Sequence, residues 1–321
     1  MPGAFELLAG ATWIEDLLVY HQEDIQTWRQ RLVLAKQLRQ REFDIWIEFP
    51  SDLATLGVLI RNMLMARMSG VRWAEGWRIT TILWAARAQS EGSVFACEVE
   101  RLLQLVKSLG ISIGRAQFPL PLTEEHSFAV DAELKGTVPL GTPIVAIAPG
   151  AKRSTNKWPV DRYAEVAEAL VAQGFFVVLL GAANDKVSCA RITLRVSTGV
   201  RNLAGKLSVL ESCEALRRCA FVVCNDSGVQ HMAAAVSTPC ISIFSVRDMR
   251  GKWHPYGSQH IVLEKEVPCH TCYLEECPFD NLCIKQVQVA EVLAAVQSLG
   301  GSPRVDERKG SLPHSFRKSD S

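Results

Sequence analysis

The stretch Ile144-Val-Ala-Ile-Ala148 is apolar at every position, and Pro149-Gly150 follow it directly. A short run with no polar position is typical of a strand buried on both faces, as in a parallel sheet. Apolar runs of the same kind recur at residues 175–180 and 221–224, and residues 240–244 form a further strand-length run that is apolar except at Ser242. Helical periodicity fills the intervals between them. This alternation predicts an α/β fold that binds ligands at the carboxyl ends of its parallel strands.

The alternation of strands and helices is less clear in the residues before Ile144. We expect strands at residues 13–20 and 43–49, and helices at residues 25–41, 53–69 and 98–109. The segment 119–141 is rich in Pro, Gly and charged residues, a composition that predicts a linker.

The length of 321 residues suits about two domains. We expect an amino-terminal domain at residues 1–138 and a carboxy-terminal domain at residues 139–300. Residues 301–321 are polar and charged, and their composition predicts a disordered tail.

Composition and charge narrow the class of protein. Hydrophobic residues make up 48% of the chain, which is enough to form real cores. Basic residues number 35 and acidic residues 34, a balance that argues against nucleic acid as a partner. The start has no basic region typical of a signal peptide, and no apolar run approaches the ~20 residues of a membrane span. We therefore expect a cytoplasmic protein.

A basic and hydroxyl-rich loop follows the first carboxy-terminal strand. It holds, in six consecutive positions, Lys152, Arg153, Ser154, Thr155, Asn156 and Lys157. Cations and hydroxyls before a helix N-terminus suit an anionic group such as a diphosphate. The alternative is a solvated basic loop. The loop has neither the Walker A pattern nor the dinucleotide-binding pattern of glycines.

A second polar loop, residues 224–231, also joins a strand to a helix. Asp226 and Ser227 are good helix-capping residues, Gly228 permits close backbone approach, and His231 lies about one turn into the helix. These four residues could seat a sugar and its phosphate. The alternative is simple capping, with His231 a satisfied hydrogen-bonding residue.

Two further candidates lie outside these loops. Asp185 follows the strand at residues 175–180 and could accept hydrogen bonds from a ribose, or serve as the first-turn acid of the next helix. Four clustered cysteines could bind zinc or an iron–sulfur cluster, or could be reduced thiols or a reversible disulfide. These cysteines are Cys269, Cys272, Cys277 and Cys283.

A stretch rich in Arg and Trp runs from Arg61 to Arg87 and includes Trp73, Trp77 and Trp84. Such a pattern suits a face that contacts a membrane surface or an anionic acceptor. It equally suits an ordinary amphipathic helix with Arg outside and Trp inside.

The order of these motifs resembles glycosyltransferase family 9, the lipopolysaccharide heptosyltransferase family. The resemblance runs from Ile144 to about Val296. Its marks are A-P-G-A at 148–151, N-K-W-P at 156–159, F-F-V-V-L-L-G at 175–181, N-L-A-G-K-L-S-V-L-E at 202–211, C-N-D-S-G-V-Q-H-M-A-A-A at 224–235 and S-T-P-C-I-S-I-F at 237–244. Residues 4–70 resemble the family's amino-terminal domain more weakly, and the cysteine cluster resembles one found in many members.

The resemblance implies a glycosyltransferase-B architecture, an α/β fold in which two Rossmann-like domains with parallel sheets face a cleft. It implies inverting transfer from a nucleotide-sugar, usually ADP-heptose, to a lipid-linked saccharide at the cytoplasmic face of the inner membrane. It also implies that the transfer requires no cofactor. Asp226, Ser227, Gly228 and His231 match the family's donor-binding D-[ST]-G-x-x-H loop. The family places a donor-phosphate lysine two residues before the Trp, where this chain has Asn156, so the charge falls to Lys157, Lys152 or Arg153.

The resemblance also leaves a question about catalysis. Family members begin with a strand–helix–strand unit whose G-D motif carries a catalytic Asp, and we expect this unit to be missing here. Asp44, Glu48 and Asp52 lie in the amino-terminal part, but no motif marks any of them as the base. The alternative to an active enzyme is therefore a non-catalytic or degenerate nucleotide-sugar-binding homologue.

Overall fold

A computed structural model of the chain describes residues 2–49, 55–76, 94–107 and 109–300. Within these ranges the strands are β1 Ile45–Ile47, β2 Trp73–Glu75, β3 Ile144–Ala148, β4 Phe176–Leu179, β5 Val200–Asn202, β6 Val222–Asn225, β7 Cys240–Ile243 and β8 Ile261–Leu263. The α-helices are α1 Pro2–Leu8, α2 Trp28–Arg39, α3 Leu56–Met68, α4 Glu98–Lys107, α5 Glu124–Leu134, α6 Val160–Ala172, α7 Lys186–Arg195, α8 Val209–Arg217, α9 Gly228–Ala235, α10 Leu282–Lys285 and α11 Val289–Ser298.

The carboxy-terminal part is built on a six-stranded, all-parallel sheet in the order β5-β4-β3-β6-β7-β8. Its central strand is the stretch that indicated the fold, and Val145, Ala146 and Ile147 in it are fully buried. Helices α6, α7 and α11 pack on one face of the sheet, and α5, α8 and α9 pack on the other. Burial on both faces explains why these strands carry continuous apolar runs.

The strand order changes direction between β3 and β6. The chain runs outward from β3 to β5, returns to β6 beside β3, and continues outward on the other side to β8. Loops that leave two such neighbouring strands in opposite directions open a crevice at their carboxyl ends. The two polar loops singled out in the sequence follow β3 and β6, so the fold places both at this crevice.

The prediction of a linker at residues 119–141 is wrong, because helix α5 (Glu124–Leu134) occupies the middle of this segment. Glu124 and Glu125 lie in its first turn, where acidic residues favour a helix, and Val130 is fully buried against the large sheet. The Pro and Gly residues that suggested a linker flank the helix instead of interrupting it.

The predicted strand at residues 43–49 is confirmed by β1, which pairs in parallel with β2. The predicted strand at residues 13–20 is wrong. Leu18, Val19 and Tyr20 in this segment are all exposed, and the segment pairs with no strand in the described part of the chain. An apolar run without a partner to take its backbone hydrogen bonds does not become a strand.

Some expectations fall on residues outside the described ranges. They concern Asp52, Trp77, Trp84 and the predicted tail at 301–321. In the described ranges, no helix has both the length and the apolar character to cross a bilayer.

Asn225, the last residue of β6, joins the ends of the two central strands. Its Nδ2 atom donates to the carbonyl of Pro149 (2.7 Å). Its Oδ1 atom accepts from the backbone N–H of Trp158 (3.0 Å) and the hydroxyl of Tyr163 (2.8 Å). The side chain is completely buried. It therefore fixes both ends of the loop between β3 and α6.

Replacing Asn225 with Ala should lower the free energy of unfolding by about 2 to 4 kcal/mol, because it leaves buried donors without an acceptor. Urea denaturation followed by circular dichroism measures this loss. Asn184→Ala, at an exposed position, is the matched control and should stay within about 0.5 kcal/mol of the unchanged protein. An equally small loss for Asn225→Ala would show that Asn225 does not hold the loop.

Candidate functional site

The basic loop after β3 divides into exposed and buried residues. Lys152, Ser154 and Lys157 are exposed, whereas Thr155 and Asn156 are only 4% and 6% exposed. Residues Ser154–Asn156 form one turn of 3-10 helix, which turns these two side chains inward. The loop is therefore solvated at its two lysines, as the alternative expects, but not at Thr155 and Asn156.

Asn156 links this loop to the polar loop after β6. Its Nδ2 atom donates to Asp226 Oδ2 (3.0 Å), and its Oδ1 atom accepts from the hydroxyl of Ser245 (2.7 Å). The other oxygen of Asp226 accepts from Gln230 Nε2 (2.9 Å). The structure thus brings together two loops that the sequence separates by 70 residues. Both direct partners of the Asp226 carboxylate are neutral amides.

The enclosed position of Asp226 changes its acidity. Burial raises its pKa from the ordinary value of 3.8 to about 6, and repulsion from Asp248 adds to this. Attraction to His254, Arg153 and Arg247 opposes the rise. The carboxyl group is therefore much less acidic than an exposed aspartate, and its charge is sensitive to what binds beside it.

Helix capping does not account for Ser227 and Gly228. Ser227 precedes α9, but its side chain makes no capping hydrogen bond, and its buried Oγ atom has no hydrogen-bond partner among the described residues. The Oγ1 atom of Thr155 is also buried without such a partner. A Cβ atom on Gly228 would meet nothing within 4 Å, so packing within the protein does not require glycine there. Simple capping is thus wrong for Ser227.

His231 lies in the first turn of α9 and is exposed to solvent. The protein around its ring still lowers its pKa by displacing water, and repulsion from His260 adds to this. The imidazole is therefore neutral near pH 7, when it can donate from one nitrogen and accept at the other.

Asp185 lies beside the first loop, although the sequence places it after β4. A Cβ atom on Gly150 would lie 2.4 Å from its carboxyl carbon, so these two residues are in close contact. The carboxylate accepts a hydrogen bond from the backbone N–H of Ala182 (2.9 Å). This local bond agrees with the expected role of Asp185 at a helix start.

The cysteine-bearing loop is tied to the basic loop. Arg153 Nε donates to Glu275 Oε1 (2.9 Å), and Asn281 Nδ2 donates to the carbonyl of Ser154 (3.4 Å). The hydrogen bond and charge of Arg153 lower the pKa of Glu275. Arg153 is therefore already engaged by a carboxylate.

The four clustered thiols share one small cavity of about 20 Å³, which Thr155 and Arg247 also line. They are Cys269, Cys272, Cys277 and Cys283. No group of three or more His, Cys, Asp or Glu side chains in the described residues is arranged to hold a metal ion. The thiols are thus neighbours without forming a ligand set.

Sequence reasoning missed several residues that build the site. Asn225 and Gln230 lay inside the recognised motif but were not singled out, and Ser245 follows β7. Arg247 is only 4% exposed and donates to the carbonyls of Tyr273 and Leu274, so it holds the cysteine-bearing loop. Their shared signal is a position at the carboxyl end of a buried strand or within a few residues after it.

Replacing Asp226 with Asn should change how stability depends on pH. A raised carboxyl pKa means that ionisation destabilises the folded state, so the unchanged protein loses stability as the pH rises from about 4 through about 6. The Asn variant lacks this loss. The free energy of unfolding of the variant should gain about 2 to 3 kcal/mol relative to the unchanged protein between pH 4 and pH 7.

Urea denaturation at both pH values measures this difference. Asp161→Asn, at a side chain that is 69% exposed, is the control and should show no comparable gain. Parallel pH profiles for Asp226→Asn and the unchanged protein would contradict the raised pKa.

Comparison with known proteins identifies the family. The family model described as glycosyltransferase family 9 (heptosyltransferase) matches residues 31–283. A lipooligosaccharide heptosyltransferase 2 of Haemophilus influenzae is 40% identical over 116 residues, which cover 34% of each chain. A lipopolysaccharide heptosyltransferase 2 of Escherichia coli is 27% identical over 67% of this chain and 63% of its own length. The chain thus spans between one third and just under two thirds of these relatives.

Solved structures show the same fold. A glycosyl transferase of family 9 from Veillonella parvula superimposes with a TM-score of 0.72 over 92% of this chain and 85% of that chain, at 16% identity. The ADP-heptose lipopolysaccharide heptosyltransferase II of Escherichia coli gives a TM-score of 0.58 over 84% of this chain and 80% of that chain, at 21% identity. The expected α/β fold of the glycosyltransferase-B type is confirmed. The chain belongs to glycosyltransferase family 9, the heptosyltransferase family.

Proposed function

We propose that this protein transfers a sugar from a nucleoside-diphosphate sugar to a lipid-linked saccharide, with ADP-heptose as donor and the lipopolysaccharide core as acceptor. Membership of the heptosyltransferase family supports the reaction class. The names of the relatives, which are lipopolysaccharide and lipooligosaccharide heptosyltransferases, support the acceptor. An Escherichia coli heptosyltransferase of the same fold was solved with ADP, which supports the nucleotide.

The observation that carries the proposal is the convergence of two polar loops at the crevice between β3 and β6. The buried hydroxyl of Ser227 has no hydrogen-bond partner in the described residues, and a ligand with several oxygens could supply one. Gly228 leaves the backbone open at the start of α9. A helix N-terminus with free N–H groups favours a diphosphate.

The charge that stabilises the leaving diphosphate must come from outside position 156. Asn156 is neutral and hydrogen-bonded to Asp226, and Arg153 is paired with Glu275. We therefore assign the charge to the exposed Lys152 and Lys157. In an inverting displacement they would stabilise the negative charge that develops as the bond to the anomeric carbon breaks.

The acceptor is lipid-linked, so we also propose peripheral contact with the cytoplasmic face of the inner membrane. Exposed aromatic side chains in the amino-terminal part support this contact. Trp13, Trp28 and Trp73 are 58%, 56% and 72% exposed. Tryptophan favours the interface between water and the bilayer.

Donor binding tests the assignment of the site. Asp226→Ala and His231→Ala should each weaken ADP-heptose binding by about tenfold or more, because each removes a hydrogen-bonding group from the crevice. Isothermal titration calorimetry measures the dissociation constant. Asp161→Ala and His21→Ala are matched controls at exposed positions and should bind like the unchanged protein. Unchanged affinity in both site variants would remove these residues from the site.

Sugar transfer separates the proposal from its alternative, a non-catalytic nucleotide-sugar-binding homologue. The unchanged protein, ADP-heptose and a lipopolysaccharide-core acceptor should give a heptosylated product detectable by mass spectrometry. Donor binding without product would favour the non-catalytic alternative.

We keep zinc or an iron–sulfur cluster at Cys269, Cys272, Cys277 and Cys283 as a proposal separate from the transfer reaction. Its support is the single cavity that these thiols share, and binding would require the thiols to move from their present arrangement, which forms no ligand set. The unchanged protein should carry bound metal in elemental analysis, and Cys272→Ser should carry less. No metal in the unchanged protein would contradict this proposal, and no step of sugar transfer depends on it.

A further inference from the structure

A close main-chain contact joins the amino-terminal segment at residues 95–98 to the loop at residues 250–258, which lies between β7 and β8. The N–H of Phe95 donates to the carbonyl of Arg250 (2.8 Å), and the N–H of Glu98 donates to the carbonyl of Lys252 (2.7 Å). Both segments also line one cavity of about 560 Å³. The amino-terminal part is thus docked onto the carboxy-terminal part through main-chain atoms.

This docking requires glycine at position 251. Gly251 has a φ of +87°, in the left-handed region that residues with side chains disfavour. A Cβ atom on it would lie only 2.1 Å from the carbonyl oxygen of Phe95, so one of the two backbones would have to shift. Any larger residue at position 251 should therefore push residues 95–98 away from the loop.

The same loop has a second attachment to the amino-terminal part. The hydroxyl of Tyr256 accepts from the backbone N–H of Ala116 (3.0 Å). The ring of Phe118 packs edge-on against the ring of Tyr256, with 5.9 Å between their centroids. The loop is therefore held at two places by residues that precede the large sheet.

Gln230 connects this loop to Asp226. Its side chain is fully buried, and its Nε2 atom donates both to Asp226 Oδ1 (2.9 Å) and to the carbonyl of Trp253 (3.1 Å). The reverse orientation of the amide would place its oxygen against these two acceptors, so the present orientation is the one that makes both bonds. One NH₂ group therefore fixes the Asp226 carboxylate relative to the docked loop.

The bridge made by Gln230 has a cost. Its Oε1 atom is buried and has no hydrogen-bond partner among the described residues, a condition that lowers stability. An apolar side chain of the same length would avoid this cost but would bind neither Asp226 nor Trp253. Asn156, the other amide partner of Asp226, comes from the loop after β3 and does not replace the link to the docked loop.

We propose that Gln230 is a positioning residue that couples the docking of residues 95–98 to donor binding at Asp226, an inference that rests on the proposed function. In the docked state the carbonyl of Trp253 lies where Gln230 reaches it and Asp226 together, and the carboxylate is held in its donor-binding position. When residues 95–98 separate from the loop, Gln230 loses one partner and Asp226 loses a restraint. Donor binding and docking therefore strengthen each other reciprocally.

The first test is Gln230→Met in the full chain. Methionine has a similar length and volume but no N–H group, so it keeps the packing and removes both hydrogen bonds. The dissociation constant for ADP-heptose, measured by isothermal titration calorimetry, should rise by about 5- to 30-fold, a typical size for such coupling. Gln297→Met, at an exposed position in α11, is the matched control and should bind like the unchanged protein.

The second test is a double-mutant cycle with Gly251→Ala. This substitution alone should also weaken ADP-heptose binding by about 5- to 30-fold. Added to Gln230→Met, it should change the dissociation constant by less than about twofold, because the connection is already broken. Independent structural roles would instead give losses that multiply. Gly141→Ala is the control, since Gly141 has a φ of +78° and a Cβ atom there would meet nothing within 4 Å.

Hydrogen–deuterium exchange measures the coupling without any donor. The backbone N–H of Asp226 donates to the carbonyl of Ile243 (3.1 Å) and belongs to the segment that should loosen. In Gly251→Ala, exchange should be faster in a peptide spanning residues 226–230 and unchanged in one spanning α6, which also shows that the variant is folded. If Gly251→Ala does not fold, Tyr256→Phe, which removes the hydroxyl bound to Ala116, takes its place.

Three results would overturn the proposal. The first is a dissociation constant for Gln230→Met within about twofold of the unchanged protein, and the second is a pair of losses that multiply in the cycle. The third is exchange at residues 226–230 that does not respond to the undocking variant. Absence of ADP-heptose binding by the unchanged protein would instead overturn the proposed function, a result that the exchange measurement keeps separate from the structural coupling.

Discussion

A single buried asparagine side chain ties the ends of the two central strands to the start of α6. Asn225 uses both ends of its amide, donating to the carbonyl of Pro149 and accepting from Trp158 and Tyr163. Trp158 is itself fixed by a hydrogen bond from Nε1 to the carbonyl of Val287 (2.9 Å), ahead of α11. The crevice, the turn that buries Thr155 and Asn156, and the start of α6 all depend on this arrangement. An asparagine suits the position because it supplies a donor and an acceptor without a charge that burial would penalise.

Neutral amide groups are also the hydrogen-bond partners of Asp226, at the centre of the crevice. Asp226 is held by the amides of Asn156 and Gln230, where the family pattern places a lysine in the position of Asn156. Neutral donors fix the carboxylate without cancelling its charge, so burial dominates its pKa. Under the proposed function, the positive charge for a diphosphate comes from the exposed Lys152 and Lys157, whose long side chains can adjust to a ligand.

The sequence predicted the parts of the fold that leave a local signal. Strands β3, β4, β6 and β7 carry apolar runs because both their faces are covered. Strands β5 and β8 lie at the edges of the sheet, are three residues long and are only partly buried, so they were missed. Helix α5 was missed because the prolines and glycines around it outweighed its own weak periodicity.

The candidate site was predictable as a set of loops but not as a set of contacts. Strand-to-helix junctions with polar residues are visible in the sequence, and the fold placed both major loops at the crevice. The hydrogen bond between Asn156 and Asp226 depends on which strands are neighbours, and no local pattern contains that information. Arg247 lies outside every recognised motif, and only tertiary packing brings it to the carbonyls of Tyr273 and Leu274.

Tertiary contacts of the basic loop also bear on synthesis of the chain. Residues 152–157 are braced by Glu275 and Asn281, which leave the ribosome more than 100 residues later. Helix α1 is likewise joined to a distant element, because the carboxylate of Glu6 accepts from the backbone N–H of Val209 (2.6 Å). A growing chain therefore cannot complete the crevice while it is still short. Until the cysteine-bearing loop emerges, the nascent protein exposes an unbraced loop and the edges of an unfinished sheet, the kind of surface that chaperones cover.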